Sequence, residues 1–466
     1  MANETGKTLP STRLMDIIRL ICGLLRALMP NRYFLNPGLV LSDWIRDLAR
    51  RRPTEGIVLN FGFRRFLLVT GRDLSRHILD QSPSTKTYAA GPGKVAAVSF
   101  LAEKSLTLSH DEIWDKLRPL NEQTLSTGDS PDLQQAALRQ VQVEFAQRVS
   151  SIDDIRDRTG RVMLGVVFGG APPQLAQDIQ VLFGYVQSLP RRILWGWTQR
   201  SRRERFYGSI RQSWNAAQGT SLLARAHTFS QGGNFEEEQL LQQIPHWMFT
   251  FTGSGTDLLS RTLAILGSRP EVAEQVRQEI DAAGPRDQAD SIIHLNFVEA
   301  CLLETCRLFP PVTRTSHVAP QGDTFNGVSI PAGLEILHYF PIGLRDISMD
   351  SMANHFEPDK WLDPGNDRRS VYPNLFLSGA RACPGESLIL FVCKAAIASF
   401  YGPQSYGRQK KMLSIRALEM DPLPFPFPKG TLPFQSSLRG TTESDPLKWG
   451  CSARYAGWHR RQFFTY

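Results

Sequence analysis

"FLSGARACPG", residues 376–385, is the stretch on which the reading of this 466-residue chain turns. Cys383 stands between Gly379 and Gly385, with Arg381 two residues before it and Phe376 upstream. Pro384 suits the first position of a helix and Glu386 its first turn, and "ESLILFVCKAAIASF" continues as a strongly apolar helical run. The spacing therefore predicts Cys383 at a helix N-terminus, where free backbone N–H groups and the positive end of the helix dipole favour a thiolate over a thiol. An inert core cysteine would need none of these neighbours.

A thiolate so placed is a nucleophile or a metal ligand. A cysteine nucleophile wants a histidine base, and no motif here supplies one. The axial ligand of a haem iron accounts better for the surrounding residues. Gly379 permits a tight turn that brings N–H groups toward the sulfur, and Gly385 lets a flat macrocycle approach with no Cβ in the way. Arg381 reaches a haem propionate through charge-assisted hydrogen bonds, and Phe376 shields the sulfur from water. At these five positions the stretch resembles the cysteine-ligand loop of the cytochrome P-450 family. Five fixed identities in one window arise by chance in roughly one chain in ten thousand of this length, so the resemblance carries weight. It implies that family's fold, mainly α with a smaller β part, and haem b (iron protoporphyrin IX) as cofactor, with the Cys383 thiolate as metal ligand.

The resemblance extends upstream. "LLETCRLFPP" holds Glu304 and Arg307 at the family's Glu-x-x-Arg spacing, a structural pair that locks its helix to a meander segment matched here by "HFEPDKWLD", residues 355–363. In that segment Lys360 stands where the family often has arginine, and a point-charge lysine cannot reproduce the guanidinium fork. "HDEIWDKLRPL" places Trp114 and Arg118 at i, i+4 on one helix face, where the family's Trp-x-x-x-Arg donates to haem propionates. A third donor is expected from the strand after the Glu-x-x-Arg helix: His317, with Arg314 as the alternative.

The long helix with "MFTFTGSGTDLLSRTLAIL" is expected to cross the distal face of the haem. Its mid-helix glycines and hydroxyl residues weaken the backbone ladder and suit a helix bulged around a ligand. Most family members carry an acid and a threonine here, relaying protons to bound dioxygen. Two alignments compete, and neither supplies the acid. One puts Gly253 and Ser254 where the acid and alcohol belong. The other reads Thr252, Gly253, Ser254, Gly255, Thr256, with Asp257 one residue too late. Thr252, Ser254 and Thr256 are the candidate catalytic hydroxyls.

Composition bounds the rest. Hydrophobic residues make up 41% of the chain and charged residues 21%, which excludes a disordered or fibrous protein. The formal charge of +8 comes from scattered arginines without a nucleic-acid motif, so a basic surface for an acidic partner is expected and nucleic acid is not. Six cysteines without a CxxC pair make neither a disulfide framework nor a zinc site and suit a reducing compartment. "RLMDIIRLICGLLRALMP", residues 13–30, carries too many charges for a spanning helix and reads as an amphipathic helix packed on the domain, with a membrane surface the second choice.

The expected organisation is a polar segment and amphipathic helix over 1–29, one catalytic domain over 30–435, and a C-terminal extension of unassigned role over 436–466. A cytoplasmic monomer is expected, with a peripheral membrane site as the variant. Electrons come from a separate donor, a ferredoxin or a flavoprotein reductase, since no flavin or iron–sulfur segment is present. The stretches 88–101 and 191–200, small, apolar and aromatic, suggest a small apolar organic substrate. The first reading is a monooxygenase inserting one oxygen atom. The alternatives are a haem-thiolate peroxygenase or isomerase/dehydratase that needs no acid–alcohol relay, and a non-catalytic haem protein that binds ligand or senses gas.

Overall fold

A computed structural model describes residues 9–28, 37–51, 54–81, 87–170, 197–425 and 427–428, apart from 129, 147–148, 150, 348–349, 366–370, 373 and 402–414, together with isolated positions between 175 and 183. The extension over 436–466 and residues 191–196 of the second substrate stretch lie outside the described residues.

The longer helices are α1 (Leu14–Leu28), α2 (Pro37–Arg51), α3 (Arg72–Asp80), α4 (Pro92–Ala102), α5 (Asp111–Leu125), α6 (Pro131–Phe145), α7 (Ile152–Phe168), α8 (Arg200–Asn215), α9 (Leu222–Ser230), α10 (Gln243–Thr250), α11 (Thr256–Ser268), α12 (Pro270–Ala282), α13 (Asn296–Leu308) and α14 (Glu386–Phe400). Strands β1 (Gly56–Asn60), β2 (Arg65–Val69), β3 (Ala89–Ala90), β4 (Arg314–Val318) and β7 (Glu335–Tyr339) form a five-stranded mixed sheet in the order β1-β2-β7-β4-β3, and β5 (Asp323–Phe325) pairs with β6 (Val328–Ile330). The fold is mainly helical with a small sheet part, as the sequence pattern leads one to expect.

The largest core lies among the helices. α14 is apolar all round, as a helix must be when neighbours enclose it: Leu388, Val392, Cys393, Ala395, Ala396 and Ile397 are closed off, and α6, α11 and α13 pack around it. The sheet has two smaller cores on its faces. β2 pairs in parallel with β7, and β7 antiparallel with β4, so His338 and His317 come from neighbouring strands at the edge of the helical body.

α1 packs on the domain through one side. Its Asp16 is buried and ion-paired to Arg51 at 3.0 Å, the Trp44 indole N–H donates to the Asp16 carbonyl at 2.7 Å, and Leu20 joins the core beneath. Its other side leaves Leu14, Met15, Ile18 and Ile21 exposed. No helix among the described residues is long and apolar enough to cross a membrane.

Candidate functional site

The loop that carries Cys383 is shaped by two glycines. Gly379 has a positive φ of 58°, and a Cβ there would come within 2.6 Å of the Asp80 Cα, so glycine is required both by the turn and by contact with the end of α3. Its partner in that contact is backbone, which cannot yield. The helix after the loop begins at Glu386 and not at Pro384, with Gly385 as its cap. Cys383 therefore precedes the helix by a turn. Its N–H donates to the Phe376 carbonyl at 2.8 Å, and Phe376 itself is half-buried against the main core.

The thiol of Cys383 lies deep within the protein yet remains open, and it is free. These two facts together mean that it faces an internal hollow. Burial pushes the thiol up to about 11, against the pull of the Gly385 N–H, which points at the sulfur. Desolvation opposes the thiolate that the helix end and the Gly385 N–H favour, and a cation at the sulfur would tip the balance toward the ionised form. Cys393, one helix segment on, is closed within α14 and also pushed up by burial, so the two cysteines differ in access.

Across the hollow, α10 runs into a π-helical segment, Phe251–Gly255, which continues as α11. The glycines and hydroxyls of this run do open the backbone ladder, in the form of a π-bulge. His246, Phe249, Thr250, Thr252, Gly253 and Ser254 are partly open although the helix is interior, while Trp247, Met248 and Gly255 are closed. A Cβ on Gly253 would meet nothing within 4 Å. The partly open residues form a strip within the helical body. Phe251 reaches toward the cysteine loop: a Cβ on Gly385 would lie 3.3 Å from its ring, so that glycine admits a distal aromatic ring as well as whatever fills the hollow.

The three candidate hydroxyls are placed differently. Ser254 Oγ donates to the Thr250 carbonyl and Thr252 Oγ1 to the Met248 carbonyl, both at 2.7 Å. Thr256 is fully enclosed, and its hydroxyl has no partner. Asp257 is held between Arg156 at 3.0 Å and Arg261 at 2.9 Å.

At the rim of the hollow four nitrogen bases gather. Arg381 donates to the Tyr88 carbonyl, but its Nε is closed off without a partner. His317 is buried on β4 with Nδ1 unpaired, in edge contact at 5.0 Å with His338, whose Nε2 is also unpaired. Lys94, on α4, completes the group. Burial, then the charge of Arg381 and the neighbouring bases, depress His317 well below its usual range; burial and Arg381 hold His338 down to about 3 and Lys94 down to about 7. No carboxylate among the described residues pairs with Lys94, Arg381 or His317. Four bases without an anion form a socket for anionic groups. His317, not Arg314, belongs to this cluster, because residues three apart on a strand point to opposite faces.

Arg118 donates to the Ala382 carbonyl of the loop at 2.7 Å and pairs with Glu122 at 2.6 Å, and its guanidinium stands 6.0 Å from the Trp114 ring. Arg118 thus meets the cysteine loop directly, while Trp114 packs beside it against Leu106, Leu117 and Leu120. Lys94, His338, His246 and Tyr88 are site residues that the motifs did not reveal. Tyr88 is fully buried, and its hydroxyl donates to Asp323, which also takes His77 Nε2, both at 2.7 Å. Only the alternation of small and apolar residues around 88–101 could have pointed to that region.

The Glu304–Arg307 pair is fully closed from solvent. Arg307 takes both Glu304 oxygens, at 2.8 and 2.7 Å, and donates to the carbonyls of Leu344, Ala353 and His355. The expected weakness at Lys360 is corrected by the structure. Lys360 pairs with Glu357 and Asp350 instead, and the free lone pairs of Glu304 accept the Trp361 indole N–H at 2.8 Å and the Glu357 amide at 3.0 Å. The Trp361 indole thus supplies one neutral donor to Glu304 where a guanidinium would supply two charged ones.

The cytochrome P450 family model matches residues 204–399. Among curated proteins, the chain is 27% identical to cytochrome P450 monooxygenase 91 of Postia placenta over 38% of each chain. It is 34% identical to beta-amyrin 24-hydroxylase of Glycine max over 32% of this chain and 31% of that one, and 27% identical to cyclooctat-9-en-7-ol 5-monooxygenase of Streptomyces melanosporofaciens over 36% and 38%. The matched part spans less than two fifths of the length of these relatives. The region matched by the family model is the one that carries the cysteine loop and the π segment, so over residues 204–399 the chain is similar to the cytochrome P450 family, whose members use haem held by an axial cysteine thiolate.

Proposed function

We propose that the protein is a haem-thiolate monooxygenase that oxidises an organic substrate, mostly apolar, with dioxygen and electrons from a separate donor protein, a ferredoxin or a flavoprotein reductase. The observation that carries this reading is the Cys383 thiol, deep in the protein yet open to a hollow that faces the π segment. The surrounding residues fit the cofactor. The unpaired bases at the rim suit the two propionates, with Arg381 and His317 on the strand side and Trp114 and Arg118 from α5. Phe376 closes the sulfur side, and Gly385 adds no Cβ on the ring side.

When bound, haem with a thiolate ligand supplies the activation of dioxygen for insertion of one oxygen atom into a C–H bond. The chain's own contribution lies in placing groups around it. The Gly385 N–H holds negative charge on Cys383 Sγ. Ser254 Oγ, partly open to the hollow, is the hydroxyl placed to hand over a proton, after release from the Thr250 carbonyl. Thr252 shares that position at one remove. The catalytic domain is taken to run over 30–435.

One observation favours a second reading. Asp257 is locked between two arginines, and the strip facing the hollow offers no carboxyl group among the described residues. Such a site suits an enzyme driven by peroxide or one that rearranges its substrate. Purified protein with a reductase system, a reductant and candidate substrates separates the two: substrate-dependent oxygen consumption with matching product supports the monooxygenase. Turnover with peroxide alone, or with no oxidant, supports the second reading.

A further inference from the structure

Two nitrogen bases lie on helices that pack together, Lys94 on α4 and His246 on α10. His246 lies on α10, one turn before Thr250, on the open strip that continues through Gly253 and Ser254. Its Nδ1 is closed off without a partner, which leaves Nε2 as the atom that can meet a ligand. α4 packs against α10, and through that contact the Lys94 charge bears directly on His246. Lys94 is itself deep in the protein and only partly open; among the described residues no carboxylate pairs with it, and the neighbouring Glu335 is taken by the Gly93 N–H and Arg64.

Position on the fold separates Lys94 from the loop arginines. Arg118 and Arg381 contact the loop backbone and its surroundings at Ala382 and Tyr88, whereas Lys94 lies on α4, which packs against α10. Lys94 is thus a cation near both Arg381 and His246. A buried ammonium without a counter-ion is costly, and the cost is removed when an anion enters beside it. The groups bearing on this pair are Arg381 and His317 on the rim side and no acidic group on α4 or α10 facing it.

We propose that Lys94 and His246 form an acid-binding end of the distal hollow, so that the substrate is an apolar molecule with one carboxylate, held by Lys94 Nζ and His246 Nε2 while its apolar body lies along the Phe249–Ser254 strip. The proposal rests on the reading of that hollow as the oxidation site and refines its substrate from purely apolar to an apolar acid. The carboxylate that satisfies Lys94 has two conceivable sources, a substrate or a haem propionate, and the test distinguishes them.

The experiment is calorimetric titration of the haem-loaded protein with a panel of apolar carboxylic acids, each paired with its methyl ester, for the wild type, Lys94→Met and His246→Phe. Haem content and the thiolate spectrum are recorded separately on the same samples. The expected result is that at least one acid binds about tenfold or more tightly than its ester, and that Lys94→Met reduces this preference to about twofold or less with haem content unchanged. His246→Phe should weaken the preference while sparing ester binding. The proposal is overturned if no acid binds more tightly than its ester. It is equally overturned if Lys94→Met weakens acid and ester alike or sheds haem, which would assign Lys94 to a propionate. A protein without the thiolate spectrum would contradict the haem reading, and calorimetry on it would still decide the acid preference.

Discussion

Cys383 shows how far one residue's chemistry depends on what surrounds it. The Gly385 N–H and the nearby helix end pull toward the thiolate, burial pushes the other way, and a cation at the sulfur would tip the balance. The same contest governs the histidines. His338 is buried among neutral and cationic neighbours and resists protonation down to about 3. In the unfolded chain it takes a proton near 6.5, so between those values the unfolded state binds more protons and folding weakens as the pH falls. Above 6.5 the histidine is neutral in both states and the effect is absent. His338→Leu should therefore flatten the loss of stability between pH 6.5 and pH 4 by about 1 kcal/mol per pH unit, read from urea unfolding at a series of pH values. An unchanged acid limb would show that His338 is not held neutral.

At the scale of elements, the Glu304–Arg307 pair ties α13 to the meander by way of backbone carbonyls and the Trp361 indole. Truncating one partner leaves the other charge buried and unpaired. Glu304→Ala should cost about 3–5 kcal/mol in urea unfolding, and Trp361→Phe about 1–3, because it removes one hydrogen bond to a charged group and leaves the pair intact. A loss below about 1 kcal/mol for Glu304→Ala would mean that the clamp is not a stabilising element. These elements differ in how far the sequence announces them. α12, α13 and the β1–β2 hairpin are marked in the sequence by flanking prolines or glycines and clear periodicity. α14 starts later than Pro384 suggests, because the loop spends three residues on a turn that aims the sulfur, and local helix signals do not register that demand. The Glu304 clamp is legible as a pair but not in its third partner. Trp361 donates to Glu304 there while Lys360 turns to Glu357, a choice made by tertiary packing. Lys94, His246 and His338 belong to no short motif, and only the packing of α4, α10 and the sheet brings them near one another.

Over the whole molecule, the helical core and the sheet meet at the hollow that Cys383 faces, and the two sides impose different constraints. The cysteine side is fixed by backbone: the Gly379 turn against Asp80, the Cys383 N–H on Phe376, the Arg118 contact to Ala382. The distal side is a π-bulge lined by small and hydroxyl residues, with an ionisable pair at one end. Rigid support on one face and adaptable lining on the other suit a site whose cofactor is held constant while its substrate is chosen by a few side chains. All of this depends on the sulfur of Cys383 being the ligand. The direct test is the carbon monoxide difference spectrum of the reduced, haem-loaded protein, compared with that of Cys383→Ser. The account predicts the red-shifted Soret band of thiolate-ligated haem in the wild type and its loss in the variant; the same red-shifted band in Cys383→Ser, or its absence from haem-loaded wild type, would contradict it.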